Sequence, residues 1–114
     1  MDPQAAQDEL TERLRMLLFG EASLREVAMF GGRSFMVEDK MVAHARKGGK
    51  LLVRVDGARH EELTARSGAG QAFMGAERSM GPGWIDVAPE AISTDDQLAR
   101  WVEIALEYNR AVAK

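Results

Sequence analysis

The pattern of apolar and polar residues predicts a helix near each end of the chain. In the first segment the leucines lie on one helical face: Leu10, Leu14, Leu17 and Leu18. Asp2 and Pro3 are typical of a first helical turn, and Gly20 is typical of a helix end. Thr94 and Gln97 form a capping box at the start of the last segment. A long apolar stripe follows: Leu98, Trp101, Val102, Ala105, Tyr108 and Val112.

Between these helices the apolar residues follow the shorter period of β-strands. The predicted strands span residues 24–30, 33–37, 41–46, 51–56, 71–74 and 84–87. Alternation from Leu51 to Asp56 predicts a half-buried antiparallel strand with Leu52 on the solvated face. A short helix is predicted over residues 58–66. We therefore expect an α+β domain, a two-layer sandwich of an antiparallel sheet and helices, in the order helix, three or four strands, helix, two strands, helix.

The predicted core draws on every layer of this sandwich. It comprises Leu14, Leu17, Phe30, Phe35, Val53, Ile85, Trp101 and Ala105. The methionines of the predicted strands are expected to fill this core as well: Met29, Met36, Met41 and Met74. Gly31 and Gly32 allow two interpretations, a sharp bend between two strands or a backbone that cradles a ligand. The bend is favoured, because no lysine, serine or threonine stands beside them at the spacing of a phosphate-binding loop.

Composition and charge exclude several classes of protein. The chain has 114 residues, which suits a single domain over residues 1–114. Its formal net charge is −3, so it lacks the overall basic character of proteins that wrap nucleic acid. It has no cysteine, which excludes disulfides, thiolate zinc sites and a cysteine nucleophile. The first ten residues do not resemble a signal peptide, and no apolar run is long enough to span a membrane. A cytoplasmic location is expected.

No group of residues matches a known catalytic or metal-binding motif. His44 is expected on a strand face and His60 in solvent, without a third ligand at metal-binding spacing. No serine lies in a G-x-S-x-G motif, and the glycine-rich residues 68–83 lack the phosphate-loop pattern. We expect no catalytic residue, cofactor or metal.

One cluster of basic residues surrounds the predicted turn between the third and fourth strands. It comprises Arg46, Lys47, Lys50 and Arg54. The cluster could contact an acidic partner or a nucleic-acid backbone. In a chain with net negative charge, a solvated hairpin tip is the favoured interpretation.

Three segments resemble the TfoX N-terminal domain family in their order and sequence. They are MFGGRSFMVEDKM at residues 29–41, LLVRVD at 51–56, and MGPGWIDVAPEAISTDDQLARWVEIAL at 80–106. The residues of the family motif are interpreted as structural: Met29, Phe30, Gly31, Gly32, Phe35, Met36, Gly83, Trp84 and Trp101. The resemblance implies a stand-alone N-terminal domain with a fold similar to type III secretion chaperones.

The resemblance also implies a function. TfoX-like proteins regulate natural competence together with the cyclic-AMP receptor protein, so the leading hypothesis is a non-enzymatic regulatory or protein-interaction module. It would act through a protein partner, without specific DNA binding of its own, and a homodimer is left open. The alternative is a small-molecule-binding protein or minor enzyme with a pocket between sheet and helices. The residues expected to line that pocket are Met36, Phe73, Trp84 and Trp101.

Overall fold

A computed structural model describes residues 2–75 and 77–112, which form three α-helices and eight strands. The helices are α1 (Pro3–Leu18), α2 (His60–Thr64) and α3 (Asp95–Val112). The first four strands are β1 (Leu24–Met29), β2 (Gly32–Val37), β3 (Lys40–Ala45) and β4 (Leu51–Arg54). The others are β5 (Ala69–Gln71), β6 (Phe73–Met74), β7 (Arg78–Ser79) and β8 (Trp84–Val87). Short 3₁₀ turns cover Lys47–Gly49, Gly57–Arg59 and Pro89–Ile92.

Six of the strands form one sheet in the order β1-β2-β3-β4-β8-β5, and β6 pairs with β7 in a separate hairpin. Every pairing between the described strands is antiparallel. The predicted α+β class is therefore confirmed, as is the alternation of helices and strands along the chain. Among residues 2–75 and 77–112, no helix combines the length and the apolar character that crossing a membrane requires.

The ends of both long helices follow the capping signals of the sequence. The Asp2 carboxylate accepts a hydrogen bond from the backbone N–H of Ala5 at 2.8 Å, which satisfies a free donor of the first turn. At α3, the Gln97 N–H donates to Thr94 Oγ1 at 3.1 Å, and the Thr94 N–H donates to Gln97 Oε1 at 3.0 Å. The predicted capping box is confirmed.

The core lies between α1, α3 and one face of the sheet, which we call the helix face. Six of the predicted core residues are buried there: Leu14, Phe35, Val53, Ile85, Trp101 and Ala105. The prediction is wrong for Leu17, which is exposed because Leu14 and Leu18 define the buried face of α1. It is also wrong for Phe30, which is 71% exposed because it lies in the turn after β1 rather than within the strand.

The opposite face of the sheet, called the outer face here, is also partly covered. Register pairs Ser34 with His44, His44 with Leu52, and Leu52 with Asp86, so these residues form a row across the sheet on the face opposite Phe35 and the core. Ser34, His44 and Leu52 are buried. The prediction of a solvated outer face at Leu52 is therefore wrong.

The covering element is the β6–β7 hairpin, which the sequence does not predict. Residues 71–74 were expected to form one strand, but the chain leaves the main sheet after Gln71, and Phe73 begins the hairpin. The Gln71 side-chain amide marks this departure, since it donates to the carbonyls of Ala72 and Gly81, both at 3.0 Å. The hairpin and the outer face enclose the cavity described next.

Candidate functional site

A small cavity of about 190 Å³, called the outer-face cavity here, lies between the outer face and the β6–β7 hairpin. Its lining residues are Phe30, Met41, His44, Arg46, Leu52, Met74, Gly75 and Met80. Three of them are methionines, of which Met74 is 44% exposed, and the neighbouring Phe73 is 43% exposed. The prediction that the strand methionines fill the core is wrong, because Met29, Met36 and Met41 are only half-buried and outside the core cluster.

Phe30 occupies the turn that joins β1 to β2. Met29 pairs with Gly32, so the turn has two residues, and both have positive φ: +51° at Phe30 and +74° at Gly31. Such turns favour asparagine and glycine, which tolerate this backbone region. The predicted bend at Gly31 is confirmed, and Phe30 is the unexpected residue. Its side chain is 71% exposed, so burial within this chain does not account for it.

Gly32 is constrained by close contacts rather than by its backbone angles. A β-carbon at this position would overlap the carbonyl oxygen of Ala45 and would lie 2.6 Å from Nε2 of His44. Gln7 of α1 reaches the same point, where its Nε2 donates to the carbonyls of Gly31 at 2.9 Å and Ala45 at 3.0 Å. The helix, the turn and the end of β3 are thus held together around a position with no room for a side chain.

His44 and Ser34 form a buried polar pair under the cavity. Nδ1 of His44 lies 2.5 Å from Oγ of Ser34, and both residues are almost fully buried. Burial, together with the positive charge of Arg46, lowers the pKa of His44 to about 4, so the imidazole is neutral near pH 7. The predicted strand-face position of His44 is confirmed. Oγ of Ser34 forms a hydrogen bond with the imidazole and is buried away from solvent. These two features are typical of a structural pair rather than of a catalytic nucleophile.

Arg46 attaches the hairpin to the sheet. Its Nε lies 2.9 Å from Oδ1 of Asp86, and both side chains are largely buried. Its Nη2 donates to the carbonyl of Phe73 at 3.2 Å and contacts the sulfur of Met80 at 3.6 Å. Burial raises the pKa of the Asp86 carboxyl, and the nearby charges of Arg46 and Lys50 oppose that rise. The pair therefore fixes one wall of the outer-face cavity.

The four residues of the predicted basic hairpin lie in three different environments. Arg46 is paired with Asp86, whereas Lys47 and Lys50 are exposed near the turn after β3. Arg54 lies at the other end of β4, 5.0 Å from the ring centroid of Trp84 and 5.0 Å from that of Tyr108. The interpretation as a solvated tip is correct for the two lysines and wrong for the two arginines.

The four residues that were predicted to line one pocket lie in different parts of the structure. Trp101 is buried in the core, Met36 is half-buried in β2, and Phe73 is exposed in the hairpin. Trp84 lines a second cavity of about 320 Å³ with Arg54 and residues of β3 and α3. The structure therefore has a cavity between sheet and helix, with a lining that shares only Trp84 with the predicted set.

His60 is a further correction. It is half-buried rather than solvated, because its Nδ1 accepts a hydrogen bond from the backbone N–H of Gly83 at 2.9 Å. This bond holds the loop before β8 against α2. Within residues 2–75 and 77–112, no group of three or more histidine, aspartate or glutamate side chains is arranged to bind a metal.

Fold and site together define a small α+β domain with an antiparallel sheet, helices on one face and an apolar, methionine-lined cavity on the other. The sequence model of the TfoX N-terminal domain family matches residues 17–108, so the chain belongs to that family. A search of curated proteins finds no match to the chain.

Proposed function

We propose that the protein is a non-enzymatic interaction module that binds a protein partner through the outer-face cavity and its exposed rim, Phe30, Phe73 and Met74. The observation that carries the proposal is Phe30, an exposed aromatic residue at positive φ. A non-glycine residue in this backbone region costs about 1–2 kcal/mol. The side chain is 71% exposed, so its burial within the chain offsets little of that cost, which supports a role for Phe30 outside the chain's own fold.

The chemistry of the cavity favours an apolar segment of a partner protein. Methionine side chains are flexible and polarisable, and they adapt to apolar partners of different shapes. Met41, Met74 and Met80 line the cavity, while Phe30 stands at its edge as an aromatic anchor of the kind that dominates protein interfaces. A single apolar side chain of the partner fits a cavity of about 190 Å³.

The exposed lysines of the turn between β3 and β4, which follows the cavity-lining Arg46 along the chain, set the expected charge of the partner. Lys47 and Lys50 are exposed and have no carboxylate within 4.0 Å in the described part of the chain. Such charges at the rim of an interface favour complementary charges on the partner. The proposed partner segment is therefore apolar at its centre and acidic at its flank.

Family membership supports a regulatory setting for this interaction. The chain belongs to the TfoX N-terminal domain family, and TfoX-like proteins act with a transcription regulator in natural competence. In our proposal the module acts in the cytoplasm and contacts such a regulator, while the regulator itself holds the DNA. The burial of Ser34 supports a non-enzymatic role, because its hydroxyl is fully buried against Nδ1 of His44 rather than exposed as a nucleophile would be.

Affinity capture from cells of the native organism tests the proposal. The bait is the full chain, compared with Phe30→Asn and with Phe19→Asn as a matched control. Phe19 is 86% exposed and follows α1, outside the residues that line the outer-face cavity. We expect one partner to be retained by the wild type and by Phe19→Asn after nuclease treatment and to be lost from Phe30→Asn. Equal capture by all three proteins would refute the outer-face site.

The second candidate function is small-molecule binding between sheet and helix. The observation that favours it is the cavity beside Arg54, where two aromatic rings flank the guanidinium.

A further inference from the structure

We infer that the cavity beside Arg54 binds a small planar anion, a flat apolar body that carries a carboxylate or a phosphate. The cavity has a volume of about 320 Å³ and lies between the start of β3, the paired ends of β4 and β8, and the last turns of α3. Its lining residues are Lys40, Met41, Arg54, Trp84, Tyr108, Asn109 and Val112. We call it the Arg54 cavity.

Arg54 differs from the other half-buried arginines of the described chain in having no carboxylate partner. The others are each within 4.0 Å of a carboxylate: Arg13 with Asp95, Arg46 with Asp86, and Arg59 with Glu62. Arg54 instead donates from Nη1 to the carbonyl of Pro82 and from Nη2 to the hydroxyl of Tyr108, both at 3.1 Å. Both acceptors are neutral, so they orient the guanidinium and leave its charge uncompensated.

The two aromatic rings also hold the guanidinium in place without neutralising its positive charge. The Arg54 guanidinium carbon lies 5.0 Å from the ring centroids of both Trp84 and Tyr108, within the range of cation–π attraction. An arginine side chain has five N–H donors in a fixed plane, and the two hydrogen bonds above use two of them. The remaining donors are preorganised for an anion, and a ligand that uses them loses little side-chain entropy.

A second cation and an apolar wall complete the site. Lys40 is exposed, lines the same cavity and has no carboxylate within 4.0 Å among the described residues. Among residues 2–75 and 77–112, no aspartate or glutamate lines the cavity, and its two cations give it a positive potential. Met41, Val112 and the faces of the rings supply apolar surface. This combination fits a ligand with one anionic group and a flat apolar body, and its volume, near the lower limit for ligand clefts, fits a small one.

The wall formed by α3 is fixed by a buried hydrogen bond. Asn109 is almost fully buried, and its Nδ2 donates to the carbonyl of Val37 at 3.0 Å. This contact holds the last turns of α3 against the end of β2, so Tyr108 keeps its position beside Arg54. A site whose walls are already in place has a smaller ordering cost on binding.

The test is an NMR titration of the full, ¹⁵N-labelled chain. The anionic probes are indole-3-carboxylate and adenosine 5′-monophosphate, and the matched neutral probes are indole and adenosine. The chain has two tryptophans, so the indole N–H signal of Trp84 reports the cavity and that of the buried Trp101 serves as the reference. We expect a saturable shift at Trp84 and an affinity at least about tenfold higher for an anion than for its neutral counterpart.

The probe that binds more tightly distinguishes a carboxylate ligand from a phosphate ligand. Equal affinity for charged and neutral probes would overturn the inference. So would the absence of a saturable Trp84 shift with either anion up to about 10 mM, a concentration that reveals weak complexes.

Substitutions of single basic residues show which positive charges contribute to the affinity for the anion. Arg54→Lys keeps a positive charge but loses the planar fork, and we expect about tenfold weaker anion binding. Lys40→Met should weaken binding severalfold, and its exposed position leaves the fold intact even if the Arg54 variant does not fold. Lys47→Met, outside the cavity, is the matched control and should bind as the wild type does. Wild-type affinity in Lys40→Met, or equal weakening in Lys47→Met, would contradict the site. The titration uses the isolated chain, so its outcome is independent of partner capture.

Discussion

The imidazole of His44 and the hydroxyl of Ser34 are directly opposite each other on β3 and β2, with Nδ1 and Oγ 2.5 Å apart beneath the outer-face cavity. Their contact satisfies two buried polar groups on the outer face of the sheet. It also places a titratable group under the proposed partner surface. The protonation of His44 therefore links the stability of this region to pH.

The first prediction concerns the effect of His44 protonation on stability. Burial lowers the folded-state pKa of His44 from 6.5 to about 4, so between these values the unfolded chain binds the proton and the folded chain does not. Stability should therefore fall as pH decreases from 6.5 to 4, by up to about 3 kcal/mol from this group. Urea unfolding across this range, for the wild type and His44→Gln, measures the effect.

The difference between these two proteins isolates His44, because Asp86 and the other acidic groups titrate in both. The wild type should lose stability relative to His44→Gln as the solution is acidified. If the unfolding free energies of the two proteins changed equally with pH, protonation of His44 would not destabilise the folded chain. That result would contradict the burial of His44 as a neutral group.

The second prediction is that Gly32→Ala destabilises the protein by about 1–3 kcal/mol, since the added carbon overlaps the Ala45 carbonyl and crowds the His44 ring. Gly70→Ala in β5 is the control, because its added carbon meets no atom within 4 Å and its φ is not positive. Thermal and urea unfolding of both variants provide the measurement. A stability of Gly32→Ala equal to that of Gly70→Ala would mean that the contact at Gly32 is not close in solution.

The third prediction is that Phe30→Asn does not destabilise the isolated protein and raises its unfolding free energy by about 1 kcal/mol, because asparagine tolerates positive φ. The Phe30 side chain is 71% exposed, so little burial is lost. Equilibrium unfolding in urea measures the change. A loss of more than about 1 kcal/mol would show that Phe30 stabilises the fold and would remove the main support for an interface role.

The fourth prediction is that the isolated chain does not bind duplex DNA specifically near physiological salt. The net charge is −3, and most arginines are already paired with carboxylates. The paired ones are Arg13, Arg15, Arg25, Arg33, Arg46, Arg59 and Arg110. Few phosphates can be neutralised, so dissociation constants should be about 10⁻⁴ M or weaker. A mobility-shift titration at about 150 mM salt tests this, and sequence-dependent sub-micromolar binding would disprove it.

The parts of the fold that follow local rules could be predicted from the sequence. The capping box of Thr94 and Gln97 and the start of α1 at Asp2 depend on neighbours within one helical turn. Strand alternation correctly assigned Phe35, Val53 and Ile85 to the core. In each case the signal and its structural consequence lie in the same short segment of the chain.

The candidate sites were harder to predict because they join residues that are distant in sequence. Nothing in residues 71–80 indicates that the β6–β7 hairpin folds back over Leu52, so the outer face was predicted to be solvated. Likewise, the environment of Arg54 depends on Trp84 and Tyr108, which only the folded sheet and α3 bring beside it. One signal was present: Leu52 falls on the strand face opposite Leu51 and Val53, where a large apolar residue indicates a second covered surface.

The central claim is that Phe30 contacts a protein partner, and site-specific photo-crosslinking in native cells tests it most directly. A photoreactive phenylalanine analogue is placed at Phe30 in one protein and at Phe19 in another, since both positions are exposed. We predict that light produces one major crosslinked protein of a different sequence from position 30 and none in comparable yield from position 19. Equal yields from the two positions, no product from position 30, or a product made only of two copies of this chain would contradict the claim.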